Sequence, residues 1–197
     1  DARTDFVQNG PRAGGGATWA EASACPEGAL PVGVRVARAH AWYNNSIARY
    51  QTICAALMFA SSGTSVSVTL GQETVHPGTG SIGTWPHHQA PEDVRCPPGR
   101  AIRALNVGQA GEAGGPSTLP SGIELQCATP IAVGNMTYGF WLDYDTNTTS
   151  VAPWNVMSNA RSLGCAPGMI LASTLGLSGE VVHGIAARCR PSLLIAP

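Results

Sequence analysis

Two short stretches set an aromatic ring beside polar groups: Trp42, Tyr43, Asn44 and Asn45 in "WYNNS", and Trp141, Asp143, Tyr144 and Asp145 in "WLDYDTN". An aromatic face can stack on the apolar face of a pyranose ring while nearby amides or carboxylates bind its hydroxyls. These eight residues are therefore candidate ligand-binding residues for a saccharide, with ordinary loop packing as the alternative. Asp143 and Asp145 also project from one face of an extended strand. Glycosidic cleavage needs two carboxyls flanking a bond, about 5 Å apart for retention or roughly 6.5–9.5 Å for inversion. The spacing permits that chemistry, but paired carboxylates on an exposed strand are usually solvated. Glu92 and Asp93 point opposite ways if extended. No catalytic residue is assigned, and the chain reads as non-catalytic.

Other chemistries find less support. His87 and His88 follow a Trp-Pro turn; neighbours on a strand face opposite sides, and no Asp/Glu cluster completes a metal site. No metal or cofactor is expected. Serine, histidine and aspartate are present without a G-x-S-x-G elbow. "GQAGEAGG" lacks the lysine and following helix of a phosphate-binding loop and reads as a turn.

Charged residues make up 12% of the chain, the net charge is −1, and none of the eleven basic residues is lysine. Clustered Lys and Arg are the footprint of nucleic-acid or anionic-membrane binding, so neither partner is expected. No apolar run reaches the roughly 18 residues of a membrane-spanning helix. Twenty-four glycines and fifteen prolines favour many short strands joined by turns. The sequence shows no signal-type leader and is expected to be a mature form.

Six cysteines order these strands. No two are nearer than 24 residues, which disfavours zinc and favours disulfides in an oxidising compartment. Aligned on cysteine, the chain repeats three times: a Trp (Trp19, Trp85, Trp154), a Cys (Cys25, Cys96, Cys165), a Gly three residues later, an alternating apolar stretch, and a closing Cys (Cys54, Cys127, Cys189). Threefold repetition favours the pairing Cys25–Cys54, Cys96–Cys127 and Cys165–Cys189. The three equivalent tryptophans are expected to plug the core, with a lining for sugar sites as the alternative.

The linkers between closing Cys and next Trp hold 30 and 26 residues, whereas eight residues follow Cys189 and eighteen precede Trp19. The third linker is thus split between the chain ends. An N-terminal strand at 4–10 is expected to complete the third sheet and remove an open edge. "SVSVTL" alternates, and so does 136–145, with Met136, Tyr138, Phe140, Leu142 and Tyr144 on one face and Thr137, Trp141, Asp143 and Asp145 on the other. The expectation is an all-β single domain over 1–197, a pseudo-threefold prism of three small antiparallel sheets around one core. Its repeats fall at about 15–57, 81–130 and 150–192. A β-trefoil is the rival, but its repeat is shorter.

The repeated Trp, Cys, Pro/Gly and closing Ile…Cys resemble the vitelline membrane outer layer protein family over nearly the whole chain. The resemblance rests on Trp19, Cys25, Pro26, Gly28 and Cys54; on Trp85, Cys96, Pro97, Gly99, Ile123 and Cys127; and on Trp154, Cys165, Gly168, Ile185 and Cys189. It implies a β-prism of three Greek-key sheets and a secreted protein with carbohydrate-related binding. The family's acidic turn before each closing strand is missing here, with Glu112 and Glu180 its nearest remnants.

The expected function is lectin-like binding of a glycan or extracellular-matrix polymer, at the cell surface or outside the cell. A self-assembling subunit of an extracellular coat, sheath or filament is the alternative, since low charge favours close lateral packing. A glycan-processing enzyme comes third. The sequons at Asn44, Asn135 and Asn147 are glycosylation candidates.

Overall fold

The computed structural model describes residues 2–7, 24–39, 46–80, 89–110, 119–155, 157–177, 182, 184–192 and 194–195. The N-terminal segment gives β1 (Ala2–Val7). The first repeat and its linker give β2 (Ala29–Arg38), β3 (Ile47–Ser62), β4 (Ser65–Val75) and β5 (Thr79–Gly80). The second gives β6 (Glu92–Arg95), β7 (Ala101–Ala110), β8 (Leu119–Ala128), β9 (Pro130–Asn135), β10 (Gly139–Tyr144) and β11 (Thr149–Ser150). The third gives β12 (Arg161–Gly164), β13 (Met169–Leu177), β14 (Gly184–Pro191) and β15 (Leu194–Ile195). The described residues contain no helix.

Each repeat starts with the same turn. The amides of Ala29, Arg100 and Met169 donate to the carbonyls of Pro26, Pro97 and Ala166 at 3.2, 3.1 and 3.1 Å. The third residue of each turn is Gly28, Gly99 or Gly168, with φ of +76°, +76° and +79°. That is the type II conformation, which a Cβ disfavours, so the glycine three residues after each cysteine is a backbone requirement. The strand leaving each turn bulges at one place in the repeat, at Val32, Arg103 and Ala172, seven residues after the cysteine. All three expected disulfides form, with Cα–Cα distances of 5.6, 5.7 and 5.6 Å.

The central hairpins β2–β3, β7–β8 and β13–β14 form the three sides. The strand before each new repeat's cysteine joins the preceding repeat's sheet, β6 pairing with β2 and β12 with β7. The sheets run β4-β3-β2-β6 with β5 on β3, β11-β8-β7-β12, and β1-β14-β13. The N-terminal strand does complete the third sheet, from Ala2 opposite Cys189 to Val7 opposite Gly184. It spans 2–7 where 4–10 was expected, and residues 8–10 lie outside the described ones. The Cys25 amide donates to Ser173 Oγ at 2.9 Å, tying the first repeat to the third.

Two expectations need correction. The described residues form two main apolar clusters instead of one core. The axial cluster gathers Val34, Leu105, Ile123, Leu125, Leu171 and Ile185 from all three sides, with Trp154 packed against it. The basal cluster joins Leu30, Ala101 and Ile170, each five residues after a cysteine, to Phe140 and Leu142 of the second linker and to Leu57, Val66, Val68 and Leu70 of the first. A fourth sheet, β15-β10-β9, helps cap this base. Linkers bearing their own alternating apolar residues bury them against whichever end of the prism they cross.

Residues 136–145 do not form one continuous strand. Gly134, at φ +144°, lies so close to Gly139 that a Cβ would stand 2.1 Å from its carbonyl oxygen. The chain folds back there into the β9–β10 hairpin, which leaves Met136 and Tyr138 exposed. Alternation holds only within β10, where Phe140 and Leu142 are buried and Trp141 and Asp143 are exposed.

Candidate functional site

The β9–β10 hairpin presents the second candidate stretch. Asn135 Oδ1 accepts the amides of Thr137 and Tyr138 at 2.9 and 3.0 Å, fixing the turn. Trp141, 39% exposed, and Asp143 point outward on the same face of β10. Asp145 lies beyond the strand. Its Oδ1 accepts the Thr129 amide at 3.0 Å while its own amide donates to the Thr129 carbonyl at 2.9 Å, so it closes the base of the hairpin. Asp143 Oδ1 accepts the Tyr144 amide at 2.8 Å. Tyr144 packs against the basal cluster and its hydroxyl donates to the Ile102 carbonyl at 3.2 Å. Burial pushes its phenol pKa up, opposed by the charges of Arg190 and Arg103.

Asp143 and Tyr144 line an open cleft of about 520 Å³ whose other walls are Arg103, Gln126, Thr148 and the Cys165–Met169 turn of the third repeat. A carboxylate, an amide, a guanidinium and a hydroxyl thus converge from β10, β8, β7 and the chain before β11. Arg103 reaches this cleft from the bulge in β7. It is exposed there, whereas Val32 and Ala172 at the equivalent bulges are buried.

A second depression, of about 600 Å³, lies on the outer face of the first sheet beside Arg35, Arg49, Gln51 and Asp93. Much of its charge is already paired. Arg35 Nε and Nη2 donate to Asp93 Oδ1 and Oδ2 at 2.6 and 3.0 Å, and Arg95 bridges Asp93 and Glu73. Hydrogen bonding from Arg35, more than from Arg95, holds the Asp93 carboxyl below its usual range. Glu92 turns elsewhere, as the sequence suggested: Trp154 Nε1 donates to it at 3.0 Å, with the Arg38 guanidinium 5.7 Å from the indole centroid. Trp154 therefore packs on the axial core while clamping the first sheet to the second.

Of the candidate residues, the structure brings Asp143 and Tyr144 into one cleft, places Trp141 on the adjoining outward face, and commits Asp145 to the backbone. Trp42, Tyr43, Asn44 and Asn45 lie outside the described residues, as do Trp19, Trp85, His87, His88, Glu112 and Glu180. Sequence reasoning missed Arg103 and Gln126. Arg103 had a legible signal, an arginine at a repeat position held elsewhere by Val32 and Ala172.

No family model and no curated protein matches this chain, so membership of the vitelline membrane outer layer family is not confirmed. Solved structures do resemble it. Frutapin, a lectin from Artocarpus incisa, superposes with a TM-score of 0.53 at 8% identity, covering 98% of this chain and 97% of its own. Artocarpin complexed with methyl-α-mannose gives 0.52 at 11% identity, again covering 98% and 97%. A mannose-binding lectin from champedak gives 0.52 at 9% identity, covering 96% of each chain. At such identities the likeness concerns fold alone. The fold of this chain is the β-prism found in jacalin-related lectins.

Proposed function

We propose that this protein is a secreted, non-catalytic carbohydrate-binding protein that uses the cleft between β10, the second sheet and the Cys165–Met169 turn. The observation that carries the reading is the convergence of Asp143, Gln126, Arg103 and Thr148 on that cleft, beside the outward indole of Trp141. Carboxylate, amide and guanidinium groups suit the hydroxyls of a sugar, and an exposed indole suits its apolar face. The fold neighbours add support, since artocarpin has been solved with methyl-α-mannose and with mannotriose. Three disulfides favour an oxidising, extracellular setting. Asn135 and Asn147 stay glycosylation candidates, both exposed. Asp145 lies beyond the end of β10, where its Oδ1 accepts the Thr129 amide and serves the closure of the hairpin.

The test is a glycan array followed by titration of Trp141→Ala and Asp143→Asn. Saccharide binding weakened at least about tenfold in both, with the melting temperature kept, supports the reading. An array without signal, or binding indifferent to both changes, ends it. A self-assembling extracellular subunit is the second reading, favoured by the exposed Met58, Phe59, Val133, Met136 and Tyr138. Light scattering that shows only monomers at physiological salt rules it out.

A further inference from the structure

The far part of the β3–β4 hairpin carries no charged residue from Leu57 to Gln72. Its turn is the two-residue loop Gly63-Thr64, with Gly63 at φ +58° in the first central position of a type II′ turn. Such a turn is closed by a backbone bond between Ser62 and Ser65, and bonded pairs then alternate along an antiparallel ladder. The register is unbroken from that pair to Leu57 opposite Leu70, so the bonded pairs are Ser62/Ser65, Ala60/Ser67 and Met58/Thr69. Val66, Val68 and Leu70 therefore aim their backbone N–H and C=O groups away from β3, at the open edge of the first sheet. Among the described residues, β4 pairs with β3 alone and no other backbone bond reaches these three.

An edge of this kind recruits another strand unless it is short, charged, bulged or interrupted by proline. Several other edges are guarded in one of these ways. β6 carries Glu92, Asp93 and Arg95, β12 carries Arg161, β9 opens on Pro130, and β11 and β15 are two residues long. Residues 65–70 have none of these guards. Their order by type also reads the same in both directions: apolar Val66, hydroxyl Ser67, apolar Val68, hydroxyl Thr69, apolar Leu70. An antiparallel copy centred on Val68 thus matches every position. Val66 faces the partner's Leu70, Val68 faces the partner's Val68, and Ser67 faces the partner's Thr69.

We infer that β4 is a dimerisation edge whose occupant is β4 of a second copy of this chain, antiparallel and centred on Val68. Three bonded pairs supply about six backbone hydrogen bonds. Apolar residues meet on the face already packed against the basal cluster, and hydroxyls meet on the exposed face. No charge is desolvated and none meets its like. The contact is self-complementary about a twofold axis, so it closes at two copies instead of growing into a fibre. One strand pair buries less than the roughly 800 Å² per partner of a standard interface, so a dissociation constant on the order of 10 μM is expected. The pairing rests on neither functional reading. Joined to the carbohydrate-binding reading, it sets two clefts in one particle, and a glycan-coated surface would be held with avidity.

The experiment is sedimentation velocity on the whole chain and on two double variants, from about 1 to 500 μM. In S67K/T69K the register sets lysine directly opposite lysine twice, and like charges so placed repel. S67K/T69E sets lysine opposite glutamate in the same two places. Ser67 and Thr69 are exposed in the single chain, so both variants should keep the wild-type melting temperature. The wild type and S67K/T69E are expected to dimerise, and S67K/T69K to do so at least about tenfold more weakly. Should S67K/T69K not fold, Val68→Pro carries the same measurement, because it removes an outward N–H and no bond to β3. A wild type that stays monomeric, a dimer indifferent to S67K/T69K, or one lost equally in both double variants overturns the edge and leaves the carbohydrate-binding reading to its own test. Polymers that lengthen with concentration and survive S67K/T69K overturn it too, in favour of the self-assembling subunit. A dimer that follows the charge pattern upholds the edge, whether or not the protein binds a saccharide.

Discussion

The Thr52 hydroxyl lies 2.7 Å from the Thr174 hydroxyl, joining the first and third sides of the prism across 122 residues of chain. Both side chains are fully buried, and Thr52 Oγ1 also donates to the Thr174 carbonyl at 3.0 Å. The second repeat holds Leu105 and Leu125 at the equivalent places, so the fold accepts apolar side chains there. Thr52→Val, which removes the partner of a buried hydroxyl, is expected to cost about 1–2 kcal/mol. The double variant Thr52→Val/Thr174→Val should recover part of that loss, as denaturant midpoints would show.

The three disulfides span 29, 31 and 24 residues. Loop-closure entropy varies only with the logarithm of length, so losing any one should cost about 3.5 kcal/mol, with differences of only a few tenths among them. Paired Cys→Ala variants compared by urea denaturation check this. A much larger loss for one bridge would show that its repeat depends on native packing around the sulfurs.

Gly28, Gly99 and Gly168 sit in open space, so alanine meets no neighbour and only the positive φ opposes it. Each Gly→Ala change is expected to cost about 1 kcal/mol. Gly134→Ala is a different case, because its Cβ would lie 2.1 Å from the Gly139 carbonyl oxygen and 2.9 Å from Phe140 Cα. It should open the β9–β10 hairpin, read as lost amide protection from Val133 to Leu142, and saccharide binding should fall with it.

Asp93 links stability to pH. Its folded-state pKa is lowered, chiefly by the Arg35 hydrogen bond. Its contribution is therefore present above the unfolded-state carboxylate pKa and is lost as pH falls through the lower folded value. The pair is partly exposed, with side-chain exposures of 37% for Arg35 and 25% for Asp93, which limits the effect to under about 1 kcal/mol. Asp93→Asn should lower the melting temperature slightly at neutral pH, flatten its decline below pH 4, and lose much of its effect in high salt.

The sequence by itself determined what is local or repeated in this protein. Cysteine spacing named the three bridges, the glycine three residues after each first cysteine named the turns, and the unequal chain ends placed β1 on the third sheet. These follow from backbone sterics and covalent closure, which linear spacing records. Tertiary packing decided the rest. The expectation for 136–145 failed because alternation cannot reveal that Gly134 and Gly139 approach too closely for a side chain, and the basal core formed because linkers from different repeats cross the same end of the prism. The cleft likewise joins Arg103 and Gln126 to Asp143 and to the turn after Cys165. Their convergence depends on the angle at which whole sheets pack, and no spacing along the chain encodes that angle.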